Sequence, residues 1–289
     1  DDVESRGLGD VYKRQILNKA LLEWEAVYGG EVTLALRFAG VVERAYKKTG
    51  EGVVILVDEY DKPMLQAIGE RKLQVEFRST LKSFYSVLKT MDRYIRFALL
   101  TGVTKFGKVS VFSDLNNLND ISMYEPFVSI CGMTEKEIHD NLEEDLYELA
   151  AMQKMTYERV CAELKDCYDG YHFTHNSKGM YNPFSLLHAF NRNEFGSYWF
   201  KTGTPTYLVE LLKKHHYDLH RMAHEETDEQ VLNSIDSEST NPIPVIYQSG
   251  YLTIKGYDEE FGIYRLGFPN REVEEGFIRF LLPYYANVN

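Results

Sequence analysis

The chain has 289 residues, with 44 acidic against 32 basic side chains and a formal net charge of −12. At roughly 100–200 residues per domain the length suggests two domains, and 44% apolar with 26% charged residues excludes wholesale disorder. No apolar run reaches the ~18 residues of a membrane-spanning helix, three cysteines are too few for a disulfide framework or zinc site, which points to the cytoplasm, and the acidic balance argues against coating nucleic acid non-specifically.

The first 15 residues, DDVESRGLGDVYKRQ, carry no helical or strand period and read as a leader or artefact outside the fold. From Ile16 to Tyr28 the apolar residues keep helical spacing, and Gly29-Gly30 ends the run. A second helix carries Leu34, Leu36, Phe38, Val41, Val42 and Ala45 and stops at Lys47-Lys48-Thr49-Gly50. Val53–Val57 is a continuous β-branched run, which predicts a strand buried on both faces in a parallel sheet. Leu73, Phe77, Leu81, Phe84, Leu88 and Met91 mark a long helix, and Ile95–Leu100 follows as a second buried strand. Strand, helix, strand is a βαβ unit, so the fold class is α/β, with the two strands parallel and adjacent or near-adjacent.

After Ser122 the chain turns helical. Thr134 to Glu137 is a capping box opening a helix to about Met152, Thr156 opens another towards Tyr168, and Asn182-Pro183 starts a third. Asp236 to Pro244 is the most linker-like stretch. Tyr251–Ile254 and Gly262–Leu266 read as two strands around an acidic turn, and a helix from Glu272 to Leu282 follows. Helices followed by a hairpin fit a helical lid and a winged-helix-like module.

Chemistry concentrates at Asp58 and Glu59, directly after the first buried strand. Ligands of open parallel sheets sit outside the carboxyl ends of the strands. An apolar run ending in Asp-Glu is the Walker B pattern of P-loop ATPases, in which the Asp holds Mg²⁺ and the Glu polarises an attacking water. Tyr60-Asp61-Lys62-Pro63 is read only as the lead-in to a helix, with Pro63 in its first turn. The segment Gly102-Val-Thr-Lys-Phe-Gly107-Lys108-Val109 matches a phosphate loop at every position but the last. It is rejected as one, because Val109 cannot ligate Mg²⁺ and the following residues alternate like a strand. Its position after the second strand suits a polar sensor of the γ-phosphate instead, with Thr101, Thr104 and Lys105 as candidates. His172, His175 and His188 have no convincing metal spacing.

The segments VVILVDEYDKPMLQAI, FALLTGVTKFGKVSVFSDLNNLNDIS, CYDGYHF, GMYNPFSLLHAF, YWFKTGTPTYLVELLK and YQSGYLTIKGYDEEFGIYRLGFPNREVEEGF resemble the bacterial AAA-ATPase-like family over roughly Ile16 to Tyr285. The resemblance implies a partial P-loop NTPase sheet with helices over 16–125, a helical lid over 126–215 and a winged-helix-like module over 216–289. It implies ATP and Mg²⁺ as cofactors, a phosphate loop upstream of the residues given, and a nuclease-like effector domain beyond them through which nucleic acid is contacted. On this resemblance Asp58 is the Mg²⁺ carboxylate, Glu59 the water-activating base, Thr101 the sensor, Lys105 a residue near the phosphates, and Asn182 the start of the lid helix facing the nucleotide. The signature Tyr168-Asp169-Gly170-Tyr171 has no role derivable from sequence, and Tyr171, His172 and Phe173 are expected to pack the lid against the core.

Two functions compete: an ATP-dependent regulatory module that passes its nucleotide state to an effector, and a non-enzymatic winged-helix interaction or DNA-binding module on a degenerate core. The acidic turn Tyr257 to Phe261 opposes phosphate binding by the second. Without a phosphate loop of its own, this fragment is expected to bind ATP weakly.

Overall fold

The computed structural model describes residues 18–19, 21–27, 32–67, 70–105, 111–112, 115–202, 212, 224–233 and 241–285. The chain divides into two compact units, one formed chiefly by Asp1–Asn119 and the other by Asp120–Asn233 with Ser239–Asn289. The segments expected to form a lid and a winged-helix-like module therefore fall in one unit.

In the first unit, residues 21–27 are helical. Helix α1 (Leu34–Thr49) begins where the Thr33 hydroxyl accepts from the Leu36 N–H, and ends at Gly50, whose positive φ of 73° lets its N–H reach the Tyr46 carbonyl. Strand β1 (Val53–Val57) follows, then the short helix α2 (Lys62–Gln66). The predicted long helix is interrupted at Ser86, giving α3 (Arg71–Tyr85) and α4 (Val87–Thr90). A 3₁₀ turn leads into strand β2 (Ile95–Leu100), which pairs with β1 in parallel, Ile55 opposite Ala98 and Val57 opposite Leu100. The parallel pairing expected from sequence is present, and the two strands are adjacent.

Burial on both faces is not. Ile55 is buried, but Val54, Leu56 and Phe97 are 54%, 69% and 53% exposed. Alternate residues of a strand point to opposite faces, and α1 packs against β1 while α3 packs on α1. The unbroken apolar run records the β-branched preference of a strand without showing that both faces are covered.

In the second unit the capping box is formed as expected: Thr134 accepts from the Glu137 N–H and Glu137 reaches back to the Thr134 N–H. The helix it opens divides into α5 (Glu135–Asn141) and α6 (Glu143–Gln153), which ends at Lys154 with φ 55°. Helix α7 (Tyr157–Tyr168) is capped by the Thr156 hydroxyl, and α8 (Pro183–Arg192) by Asn182. Leu149, Val160, Leu164, Tyr168 and Leu186 form the core between these helices. Then come β3 (Glu225–Asp228), α9 (Glu229–Leu232), α10 (Ile243–Gln248), β4 (Thr253–Asp258), β5 (Ile263–Gly267) and α11 (Arg271–Tyr285). The three strands form an antiparallel sheet in the order β3-β5-β4. Strand β3, the polar run Glu-Glu-Thr-Asp, has no apolar alternation and is missed by sequence reading.

The Tyr168–Tyr171 signature joins these pieces. Tyr168 is fully buried; its hydroxyl donates to the Gly196 carbonyl and accepts from the Gly196 N–H, both at 2.9 Å. The Asp169 carbonyl accepts from the Asn270 side chain, which also caps α11 through the Val273 N–H. Tyr171 pairs by backbone with Met180, and the His172 N–H donates to the Thr253 hydroxyl of β4 at 2.7 Å. Gly170 has φ 98°, and a Cβ there meets the Pro269 carbonyl oxygen at 2.2 Å. The signature thus ties α7 to the hairpin and to α11 inside this unit. The histidines are engaged in packing: His172 Nδ1 lies 2.7 Å from the Ser177 carbonyl, His175 stacks on Tyr257, and His188 stacks on Tyr198.

Two outcomes follow for stability. Gly170→Ala combines left-handed strain with a backbone clash and costs roughly 2–5 kcal/mol, whereas Gly50→Ala, with nothing within 4 Å of its Cβ, costs only about 1–2 kcal/mol of strain; urea midpoints of the two variants separate these. Glu272 accepts from the Trp199 N–H at 2.8 Å, and burial holds its carboxyl above the usual range. A raised pKa in the folded state means that its favourable contribution is present below the ordinary value of about 4.3 and is lost as pH climbs through the raised one. Melting temperatures of Glu272→Gln therefore show a flatter decline with rising pH over that window than the native chain.

Candidate functional site

The carboxyl ends of β1 and β2 lie together, and the hydrogen bonding continues past both strands. The Thr101 N–H donates to the Val57 carbonyl at 2.8 Å, and the Tyr60 N–H donates to the Thr101 carbonyl at 2.9 Å. This brings Asp58 and Thr101, 43 positions apart, to one edge, where the Thr101 hydroxyl donates to Asp58 Oδ1 at 2.5 Å. Both residues are exposed, so the pair faces solvent at the place where parallel sheets hold ligands.

Glu59 adopts φ 53°, a left-handed conformation uncommon outside glycine. Its carboxylate forms an ion pair with Lys62 at 2.6 Å, with both side chains about half exposed. The turn at Glu59 separates two aspartates of opposite character. Asp58 lies out at the edge; Asp61, three residues on, is 0% exposed.

Asp61 is the residue sequence reasoning missed. Its Oδ1 accepts from the Val103 N–H at 3.2 Å, and its Oδ2 accepts from the Thr104 N–H at 2.5 Å and the Thr104 hydroxyl at 2.7 Å. A buried carboxylate is tolerated only when its oxygens are satisfied, and here the loop after β2 supplies the donors. The Tyr60 hydroxyl adds a bond to the Thr104 carbonyl at 3.1 Å. Gly102 lies so close that a Cβ meets Asp61 Oδ1 at 2.6 Å and the Tyr60 ring at 2.8 Å. The glycine that begins the false phosphate-loop match is thus required by its approach to Asp61. Gly107 and Lys108 of that match lie outside the described residues. Nothing local in the sequence marks it: Asp61 stands two positions after the acidic pair and two before a proline, in a stretch that reads as an ordinary polar turn.

Lys105 follows in the same loop and is partly buried. Asn182 belongs to the second unit, where its side-chain oxygen accepts from the Phe184 and Ser185 N–H groups as the cap of α8. Chemically, the edge offers hard oxygen donors, the Asp58 carboxylate and the Thr101 hydroxyl, which suit Mg²⁺ rather than a softer metal. Among the described residues no group of three or more His, Cys, Asp or Glu is arranged to hold a metal. Among the same residues no helix is long and apolar enough to cross a membrane.

An α/β unit with a carboxylate and a hydroxyl paired across the carboxyl ends of adjacent parallel strands has a polar pair where open parallel sheets commonly hold ligands. Residues 8–112 match the model of the AAA-ATPase-like family, described as "Predicted AAA-ATPase". The chain is also 38% identical over 252 residues to the "Uncharacterized protein in vnfD 5'region" of Azotobacter chroococcum mcd 1, an alignment covering 86% of this chain and 46% of that protein. The chain thus spans about half the length of the curated relative it matches. No solved structure matches it.

The two kinds of carboxylate contact predict different stabilities. Asp61→Ala leaves two N–H groups and a hydroxyl without their acceptor and destabilises the first unit on the order of 3 kcal/mol. Lys62→Ala removes an exposed pair and changes stability by no more than about 1 kcal/mol. Urea unfolding of the two variants measures both.

Proposed function

We propose that the chain is the nucleotide-responsive part of an AAA-ATPase-like protein, and that the β1–β2 edge is its hydrolytic site. The observation that carries the reading is the Asp58–Thr101 hydrogen bond across two adjacent parallel strands. In this reading Asp58 holds Mg²⁺ through water, and Thr101, bonded to the same carboxylate, senses the γ-phosphate through the ion's ligands. Glu59 polarises the attacking water; its exposed pair with Lys62 is worth at most about 1 kcal/mol and is readily opened. Lys105 lies towards the phosphates. Asn182 opens the lid helix, and the second unit passes the nucleotide state to an effector domain, in the cytoplasm. The phosphates themselves need a backbone N–H cradle and a lysine, and no G-x-x-x-x-G-K-[ST] stretch stands in these 289 residues.

Calorimetric titration of Mg²⁺·ATP, alongside phosphate release, tests this. The full-length protein binds at micromolar concentration and the 289-residue chain much more weakly. In the full-length protein Glu59→Gln keeps binding and loses about 10²-fold or more of the hydrolysis. A Glu59→Gln or Asp58→Asn variant that hydrolyses at the native rate excludes the assigned roles. Micromolar binding by the short chain, abolished by Lys108→Ala, instead assigns the phosphates to the Gly102–Lys108 segment.

A further inference from the structure

The second aspartate of the β1 loop has the geometry of a device rather than of a filler. Asp61 is wholly buried and takes three hydrogen bonds from two consecutive residues of the β2 loop. The Tyr60 hydroxyl grips the carbonyl of one of them, and Gly102 fits against the carboxylate with no room for a Cβ. Residues 60–61 and 102–104 are therefore fastened from two sides, immediately next to the exposed Asp58–Thr101 pair. From these contacts we infer that Asp61 is a positioning residue for the hydrolytic site: it fixes the β2 loop so that the Thr101 hydroxyl meets Asp58, and Lys105 leaves the loop, in one defined geometry. This rests on the nucleotide reading of the edge given above.

The physical reason lies in the donor pattern. Each oxygen of Asp61 faces donors only, so an acceptor is required on both sides. Asparagine offers an acceptor on one side and an N–H₂ group on the other. Whichever way it turns, a donor meets a donor, and one side of the clasp opens. Gly102→Ala reaches the same end by another route, pushing a methyl group into the carboxylate without changing any charge. Asp61 touches neither nucleotide nor water in this assignment; it acts through Thr104 and Thr101. A misplacement of about 1 Å at a reacting group costs on the order of 10²-fold in rate, while a nucleotide held mainly by its phosphate cradle is bound almost as before.

The test uses the full-length protein with Asp61→Asn, Gly102→Ala and Thr104→Val, and reads three quantities: Mg²⁺·ATP affinity, kcat, and amide hydrogen exchange over residues 101–105. Asp61→Asn and Gly102→Ala are expected to lower kcat by about 10- to 100-fold with Kd within about threefold of native, and to speed exchange at Val103 and Thr104. Thr104→Val, which removes one of three donors, falls between, and Thr104→Ser recovers what the valine loses. Native kcat in both Asp61→Asn and Gly102→Ala overturns the inference while leaving the nucleotide reading in place. Equal loss of affinity and rate, with exchange raised throughout the first unit, also overturns it, since that is the mark of general unfolding. If the native protein neither binds nor hydrolyses Mg²⁺·ATP, the nucleotide reading fails first, and the positioning role falls with it.

Discussion

The arrangement of the first unit depends on where one carboxylate goes. Burying an ionisable group unsatisfied costs several kcal/mol, so Asp61 can sit inside only because the β2 loop brings two N–H groups and a hydroxyl to it. The rest of the edge follows from that requirement. The chain has to turn between Asp58 and Asp61, which it does at Glu59 with a positive φ. Residue 102 has to pass without a side chain. With those conditions met, the Thr101 hydroxyl arrives at Asp58. Three contacts that look separate are consequences of one desolvated group.

The second unit is organised on a similar principle but around backbone groups. The Tyr168 hydroxyl satisfies both the N–H and the carbonyl of Gly196, and the Asn270 side chain satisfies the Asp169 carbonyl and a helix N-terminus together. Buried polar groups are rarely left unpaired, and here each pairing links segments far apart in the chain. The expectation that Tyr171, His172 and Phe173 pack a lid against a separate core has its counterpart in bonds to β4 within the same unit. Gly170 is needed because the Pro269 carbonyl occupies the space of a side chain.

The β1–β2 pair shows how far an apolar run can be read. Parallel strands are ordinarily covered on both faces, and Val53–Val57 has the composition for it. Yet Val54, Leu56 and Phe97 remain about half or more exposed. Composition reports what a strand tolerates on each face. Coverage depends on which helices return to it, and among the described elements α1 packs on β1.

Local signals in the sequence determined the local structure. Thr33, Thr134, Thr156 and Asn182 are read as helix starts or stand at them, because a short polar side chain satisfies the first free N–H groups wherever the following residues favour a helix. Two apolar runs, only the first of them β-branched, marked both parallel strands, and an acidic pair at a strand end marked the position of the candidate site. Strand β3 escaped because Glu-Glu-Thr-Asp carries no pattern of its own; its pairing with β5 supplies the order. Asp61 escaped for a deeper reason, which a comparison with Asp58 shows. They are the same residue type three positions apart in one polar loop, and nothing local distinguishes the one that faces solvent from the one that is buried. That difference is made by donors more than 40 positions further along the chain, which reach Asp61 only after β2 has paired with β1. The sequence by itself put Asp58 at this edge; the tertiary structure decided that Asp61 goes inside, because burial and hydrogen-bond satisfaction are properties of the assembled fold.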